Sequence, residues 1–288
     1  MDRPLILVIG ATGTVGSELV GQLADGEYRV RALVRDPAKA SFSDRIDVVV
    51  GDLAKPQTLT KAFAGIERVF VLAPPVPELE ALEANAFTAA RETGVRHIVY
   101  LSNFGAGSFA EDLWQAHGAN EQRLRESPMS WTILRPVRFM TNTPYGWASV
   151  RDRGLLIEPH GGRKVTMIDP RDIAAAAVVA LTQMGHEGKT YELVGDALTG
   201  DEMAQCLSTA LGKAITFVDA GEQETRDDLL RSGFPASIVE KILFYFRTLR
   251  EGRWYETSTL GELLGRAPRR YATWLQDNLA RLADQVSS

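Results

Sequence analysis

At 288 residues the chain has room for one large α/β domain and a smaller appendage. Its 45% hydrophobic and 24% charged content is that of a globular protein, and a net charge of −5 argues against a general nucleic-acid surface. A lone cysteine, Cys206, excludes an internal disulfide, and no apolar run is long enough to cross a bilayer. The chain enters a strand within a few residues of its start, so no signal peptide is expected and the setting is expected to be cytoplasmic.

Leu5–Ile9 is an unbroken apolar run, the pattern of a buried parallel strand. Gly10, Gly13 and Gly16 follow at the spacing of a tight turn into a helix that starts near Thr14. The first glycine permits the turn, and the second lets backbone N–H groups approach a pyrophosphate. The third removes a side chain where helix meets strand. Val15, Leu19, Val20 and Leu23 give that helix one apolar face. Its first turn supplies unpaired donors and a partial positive charge. Dinucleotide binding is the reading, with Thr12, Thr14 and Val15 joining the three glycines in the cofactor set.

The second strand, Arg29–Val34, runs into Arg35-Asp36-Pro37. NAD-binding folds place a carboxylate about here for the ribose hydroxyls. Arg35 occupies that place instead, and its planar charged fork suits the 2′-phosphate of NADP. Arg31 and Lys39 are near enough in sequence to add charge, whereas a one-residue shift would bring Asp36 into the NAD position. Asp47–Val50 forms the third strand, followed by Gly51-Asp52-Leu53. Asp52 either accepts from the adenine amino group or caps the next helix; Leu53 is expected beside it. Arg68–Leu72 is the fourth strand, with Ala73 and Pro74 lining the cofactor at its end.

A helix from about Pro77 to Thr93 carries Leu79, Leu82, Ala86, Phe87 and Ala90 at helical spacing and ends at Gly94. Strand His97–Leu101 leads to Ser102 and Asn103, a helix over roughly Glu111–Glu126 ends at Ser127-Pro128, and strand Trp131–Leu134 follows. The alternation predicts a Rossmann-type, doubly wound parallel sheet over residues 1–136, completed by about 165–195. Residues 137–165, rich in glycine and proline yet holding Phe139, Tyr145 and Trp147, are too loop-like for core and too aromatic for a bare linker. With the mainly helical tail over 196–288, residues 137–164 are expected to form a smaller substrate lobe. One tail strand is expected at Ile215–Val218, and a last helix carries Tyr271, Trp274, Leu275, Leu279 and Leu282 on one face.

Many short-chain dehydrogenases use a Tyr-x-x-x-Lys pair after the fifth strand to exchange a proton with the substrate oxygen. Between Lys61 and Lys164 this chain has no lysine. The helix that should carry the pair offers His117 and Glu121 instead, four residues apart on one face. A carboxylate there would raise the imidazole pKa and orient a proton donor; the alternative is a solvated face. Ser102 is expected to hold a substrate oxygen and touch the cofactor, or else only to serve strand-end backbone groups.

The ordered set Gly10-Ala-Thr-Gly13-Thr-Val-Gly16, Val34-Arg35-Asp36-Pro37, Gly51-Asp52-Leu53, Leu101-Ser102-Asn103-Phe104, Arg135-Pro136, Asp169-Pro-Arg-Asp172 and Leu264-Gly265-Arg266 resembles the NmrA-like family of atypical short-chain dehydrogenases/reductases. That resemblance covers nearly the whole chain. It implies NADP(H), no metal and a small C-terminal lobe. Enzyme members, which include triphenylmethane-dye reductases and type 2 NADPH:quinone oxidoreductases, deliver hydride to flat conjugated acceptors without the tyrosine–lysine pair. Phe104, His117, Phe139, Met140 and Trp147 are then candidate substrate walls, although Phe104, Phe139, Met140 and Trp147, each taken alone, fit a core better than a wall. The expected function is an NADPH-dependent reductase of a quinone, azo or triarylmethane-type acceptor. The rival is a dinucleotide sensor with a regulatory protein partner, as NmrA itself is; a sugar-nucleotide epimerase fits poorly without the missing pair. Whether a homodimer forms stays open.

Overall fold

The computed structural model describes residues 3–107, 112–250 and 257–284. The chain forms two compact units, the first built from residues 1–136, 170–193 and 259–266. Its elements begin with β1 (Leu5–Val8), α1 (Thr14–Asp25), β2 (Arg29–Val34), β3 (Asp47–Val50), α2 (Leu59–Phe63) and β4 (Arg68–Val71). They continue with α3 (Leu79–Thr93), β5 (His97–Leu101), α4 (Asp112–Arg125) and β6 (Ser130–Pro136). The second unit takes over with β7 (Arg138–Phe139), α5 (Trp147–Arg153), β8 (Leu155–Glu158) and β9 (Val165–Ile168). The chain then returns to the first unit for α6 (Pro170–Thr182) and β10 (Lys189–Leu193).

Seven strands form one sheet in the order β10-β6-β5-β4-β1-β2-β3, every pairing parallel. Parallel strands are covered on both faces, and β5 accordingly buries all five residues, His97 to Leu101. Helix α1 turns Val15, Leu19, Val20 and Leu23 inward, the face its apolar spacing predicts. Helix α3 ends at Gly94 in the left-handed conformation, φ 80°, where a glycine carries no Cβ penalty. Leu7, Leu33, Phe63, Val69, Val71, Phe87, Ile98 and Ile133 belong to its core. The strand order reverses about β1, with β2 on one side and β4 on the other, so the carboxyl ends of these strands frame the crevice where such sheets bind ligands.

The second unit holds a three-stranded sheet, β11 (Asp196–Leu198), β9 and β7, and a pair formed by β8 and β12 (Thr216–Asp219). Around them lie α7 (Gly200–Leu211), α8 (Glu222–Arg231) and α9 (Ala236–Arg250); α10 (Thr259–Leu264) belongs to the first unit, and α11 (Tyr271–Asp284) closes the chain. Helix α7 opens with a full capping box, Thr199 to the Glu202 amide and Glu202 back to the Thr199 amide. The stretch 137–165 is not loop-like. Met140, Trp147, Val150 and Leu156 sit in this unit's core with Trp274 and Leu275. Cys206 is half-buried on α7 and its thiol pKa is raised by burial, as suits a packing residue. Among the described residues no helix is long and apolar enough to cross a membrane.

Candidate active site

The glycine turn between β1 and α1 has one workable backbone path. Gly10 sits at φ 75°, and a Cβ there would lie 2.8 Å from the Leu72 carbonyl oxygen. The Gly13 N–H closes the turn on the Gly10 carbonyl at 2.9 Å. Gly16 packs so closely that its missing Cβ would stand 2.1 Å from that same oxygen. Gly13 is the N-cap of α1, no side chain caps the helix, and no acid stands in its first turn. Thr12, Gly13 and Thr14 are exposed. The orphan amides of the first turn are thus turned to the surface at the sheet's switch point, a cradle of the right kind for a diphosphate. Val15 faces inward and contributes only backbone.

The other predicted cofactor residues follow the carboxyl ends of neighbouring strands. Arg35 is the first residue after β2 and is exposed. Asp36 accepts from the Ala38 N–H at 3.0 Å and caps the turn Pro37–Lys39, so its carboxylate is occupied in local structure. Arg31 does not reach the crevice, contrary to the expectation that it adds charge there. It is four residues back along an extended strand, about 13 Å, and it pairs with Asp47 at 2.6 Å and with the Ala62 and Ala64 carbonyls. The Lys39 side chain lies outside the described residues. Asp52 accepts from the Ala54 N–H at 3.0 Å, the capping alternative, and remains half-buried after β3 with Leu53 buried beside it. Ala73 is buried and Pro74 exposed just past β4.

Two polar clusters occupy the space between α3, β5, α4 and β6. In one, Glu121 is 1% exposed and accepts from Ser102 at 2.6 Å, from Arg125 at 2.7 Å and from Arg135 at 2.8 and 2.5 Å. Burial raises its pKa, but the Arg135, Ser102 and Arg125 bonds outweigh burial and hold the carboxylate below its ordinary value. In the other, the Tyr100 hydroxyl lies 2.6 Å from Glu83 Oε2 and 2.6 Å from His117 Nδ1. Asn120 donates to Glu83 Oε2 at 2.9 Å and to the Glu80 carbonyl at 3.2 Å. Glu83 is fully buried, and Oε1 has no hydrogen-bond partner among the described residues. Burial lifts its pKa to about 7 against the opposing Tyr100 and Asn120 bonds.

A model of the family described as NAD(P)H-binding matches residues 10–184. The chain belongs to that family. It is 38% identical to the NAD(P)H azoreductase of Xenophilus azovorans, over 82% of this chain and 84% of that protein. It is 36% identical to (4-alkanoyl-5-oxo-2,5-dihydrofuran-3-yl)methyl phosphate reductase of Streptomyces griseus, over 98% of this chain and all of that protein. Its fold is similar to the crystal structure of Citrobacter sp. triphenylmethane reductase complexed with NADP(H), at TM-score 0.85 and 29% identity, covering 94% of this chain and 99% of that one. The chain is an NAD(P)H-binding oxidoreductase.

Within this NAD(P)H-binding frame several expected roles change. His117 does not pair with Glu121. Positions four apart on a helix still diverge by some 40°, from 3.6 residues per turn, and the two side chains enter different clusters. Burial lowers the His117 pKa to about 4, so its imidazole is neutral near pH 7 rather than a charged donor. The Ser102 hydroxyl is 5% exposed and gives its one proton to Glu121, which fastens β5 to α4. Met140 is fully enclosed in the second unit's core and is no open wall. Trp147 is 8% exposed in the same cluster, with Nε1 unpaired among the described residues. Phe139 is half-buried on β7, and Phe104 is buried with its N–H bound to the Pro136 carbonyl at 3.0 Å. Among the described residues no group of three His, Cys, Asp or Glu could hold a metal. Glu83, Tyr100 and Asn120 escape the sequence reading; the available signal is an acid in the apolar stripe of α3, four residues from both Leu79 and Phe87.

His97 makes the acid side of stability testable. Thr132 gives its proton to the His186 carbonyl at 2.7 Å and accepts from His97 Nε2 at 2.9 Å. Burial pulls the His97 pKa down to about 4. The folded value lies below the unfolded one, near 6.5, so the native state binds fewer protons between them. That contribution to stability is complete above pH 6.5 and disappears as pH falls through 4. His97→Gln is expected to reduce the slope of unfolding free energy against pH in that window by up to about 1.4 kcal/mol per pH unit. Urea titrations at pH 7, 6 and 5 measure it, and an unchanged slope contradicts the assignment.

Proposed function

We propose that the chain is an NADPH-dependent cytoplasmic reductase that passes hydride to an electron-poor conjugated acceptor of the azo, quinone or triarylmethane type. NADPH, when bound, supplies the hydride. The amides at the mouth of α1 hold its diphosphate, and Arg35 takes the 2′-phosphate by charge-assisted hydrogen bonds. His117 keeps Nε2 for the acceptor, since Nδ1 is engaged by Tyr100. Phe104 supplies apolar surface for a flat acceptor.

One observation carries this reading: where many short-chain dehydrogenases place a tyrosine–lysine pair, α4 carries a buried imidazole that stays neutral near pH 7. A weak proton donor of that kind suits acceptors whose conjugation spreads the incoming charge, because positioning then supplies much of the acceleration. The names of the relatives agree. An azo group and an acylated furanone spread the added charge over a π system, and a triphenylmethane cation is neutralised by the hydride itself.

The test is NADPH oxidation, followed by the loss of its near-ultraviolet absorbance, against an azo dye, a triarylmethane dye, a naphthoquinone and an acylfuranone. Saturable turnover of at least one is expected. Tight NADPH binding without turnover on any of the four would replace this reading with that of a dinucleotide sensor.

A further inference from the structure

Glu83, Tyr100 and His117 form an unbroken chain of hydrogen-bonding atoms that begins in the core and ends on a helix of the candidate site. Glu83 sits on α3, Tyr100 on β5 and His117 on α4, and both links measure 2.6 Å. A phenol has one proton and can donate it to only one of its two neighbours. The chain therefore has two self-consistent arrangements. With Glu83 ionised, Tyr100 donates to Oε2, His117 Nδ1–H donates to the phenol oxygen, and Nε2 is a bare acceptor. With Glu83 protonated, its O–H donates to Tyr100, Tyr100 donates to Nδ1, and the ring proton sits on Nε2.

We propose that these three residues are a proton relay, in which the buried Glu83 carboxylic acid is the reservoir that lets neutral His117 deliver a proton from Nε2. The direction of delivery rests on the reductase reading; the relay itself does not. In the step, the Nε2–H bond breaks toward an azo or quinone-type acceptor made anionic by hydride, while Nδ1 takes the phenol proton. The phenol takes the Glu83 proton, and Glu83 is left a carboxylate. One proton leaves at Nε2, one is lost from Glu83, and no electrons move. Recharging reverses the shift, with water protonating Nε2.

The surroundings favour both arrangements over charged intermediates. Burial lifts Glu83 to about 7, lowers His117 to about 4 and raises Tyr100 well above its ordinary value, so neither imidazolium nor phenolate is stabilised. From α3, Glu80 contributes its carbonyl to Asn120 while its carboxylate pairs with Arg123 of α4 at 3.2 Å. From α4, Asn120 donates to Glu83, and Glu121 acts through space on Tyr100 and His117 while bound to Arg125 and Arg135. The Ala73 amide faces Glu83 from the end of β4 and favours its ionised form. Among the described residues no cation bonds to Glu83, which leaves its proton free to move near neutral pH.

Histidine nitrogen-15 NMR on the cofactor-free protein tests this directly, because protonated and bare ring nitrogens have well-separated shifts. Between pH 6 and 8 His117 is expected to exchange Nε2–H for Nδ1–H, with a midpoint near 7 and a neutral ring throughout. The populations should pass from about tenfold excess of one tautomer to tenfold excess of the other across about two pH units. Glu83→Gln and Tyr100→Phe should each leave His117 in one tautomer at every pH, with the His97 signals unmoved as evidence of an intact fold. If either variant fails to fold, the wild-type exchange together with a carboxylic-acid carbonyl band that disappears at the same midpoint in the infrared decides the matter. A wild-type His117 that keeps one tautomer from pH 6 to 8, or becomes imidazolium near 6.5, overturns the relay, as does an exchange that persists in Glu83→Gln. Turnover failure on every acceptor would leave these outcomes unaffected, so the two proposals fail separately.

Discussion

Replacing Gly16 with alanine is expected to abolish measurable NADPH binding and to cost the fold about 3 kcal/mol or more. The added Cβ would lie 2.1 Å from the Gly10 carbonyl oxygen, 2.6 Å from its carbon and 3.0 Å from the Ala11 Cα. All three are backbone atoms, so no rotamer change relieves the overlap. The turn cannot slide either, because Gly10 is held at φ 75° against Leu72 and by the 2.9 Å bond from the Gly13 N–H. Relief requires α1 to lift away from the strand end, which disperses the amides that form the anion cradle. Gly13→Ala is the control: its φ is −85° and its Cβ would meet only the Gly10 oxygen, at 3.2 Å. That variant should stay folded. Calorimetric NADPH titration and denaturant melts of both variants separate the cases, and wild-type affinity in Gly16→Ala would show that the diphosphate is held elsewhere.

The same turn shows what a sequence makes legible. Where structure follows from neighbours in the chain, the reading holds nearly to the residue. The expected strands Arg29–Val34, Asp47–Val50 and His97–Leu101 coincide with β2, β3 and β5, because a short segment rich in β-branched and apolar residues between breakers has few other fates. Leu5–Ile9 and Arg68–Leu72 each run one residue past the strand, into the turn that follows. Where structure depends on distant partners, the reading fails. Residues 137–165 look like loop because their glycines and prolines interrupt any periodicity, yet Met140, Trp147, Val150 and Leu156 are fixed by Trp274 and Leu275, more than a hundred residues on. His117 and Glu121 invite pairing by spacing, but Arg135, brought in by β6, outcompetes the histidine for the carboxylate. Glu83 and Tyr100 are hidden for a related reason. Glu83 is an acid in the apolar stripe of α3 and Tyr100 sits in the apolar run of β5, but only the packing of α3 and α4 over β5 joins them.

Charge reversal at Arg35 should divide the two nicotinamide cofactors. In Arg35→Glu, NADPH affinity is expected to fall about 100-fold or more, while NADH affinity changes by no more than a few-fold. A charge-assisted hydrogen bond contributes about 1.5–3 kcal/mol, and placing a carboxylate opposite a phosphate adds roughly 1 kcal/mol of repulsion near a solvated surface. NADH has no 2′-phosphate and loses neither term. The prediction depends on Arg35 being the group that meets that phosphate, and its neighbours make it the natural one. Arg31 is committed to Asp47 and two carbonyls, and Asp36 caps the turn that follows. Arg35 is exposed at the carboxyl end of β2, next to the strand whose turn is the proposed diphosphate cradle. Because the contact is between charges at an exposed site, added salt should also weaken NADPH binding more in the wild type than in the variant. Arg35→Gln, which removes the charge without reversing it, should fall between the two. Equal losses for NADPH and NADH would mean that the arginine shapes the loop and that the phosphate is read by another residue.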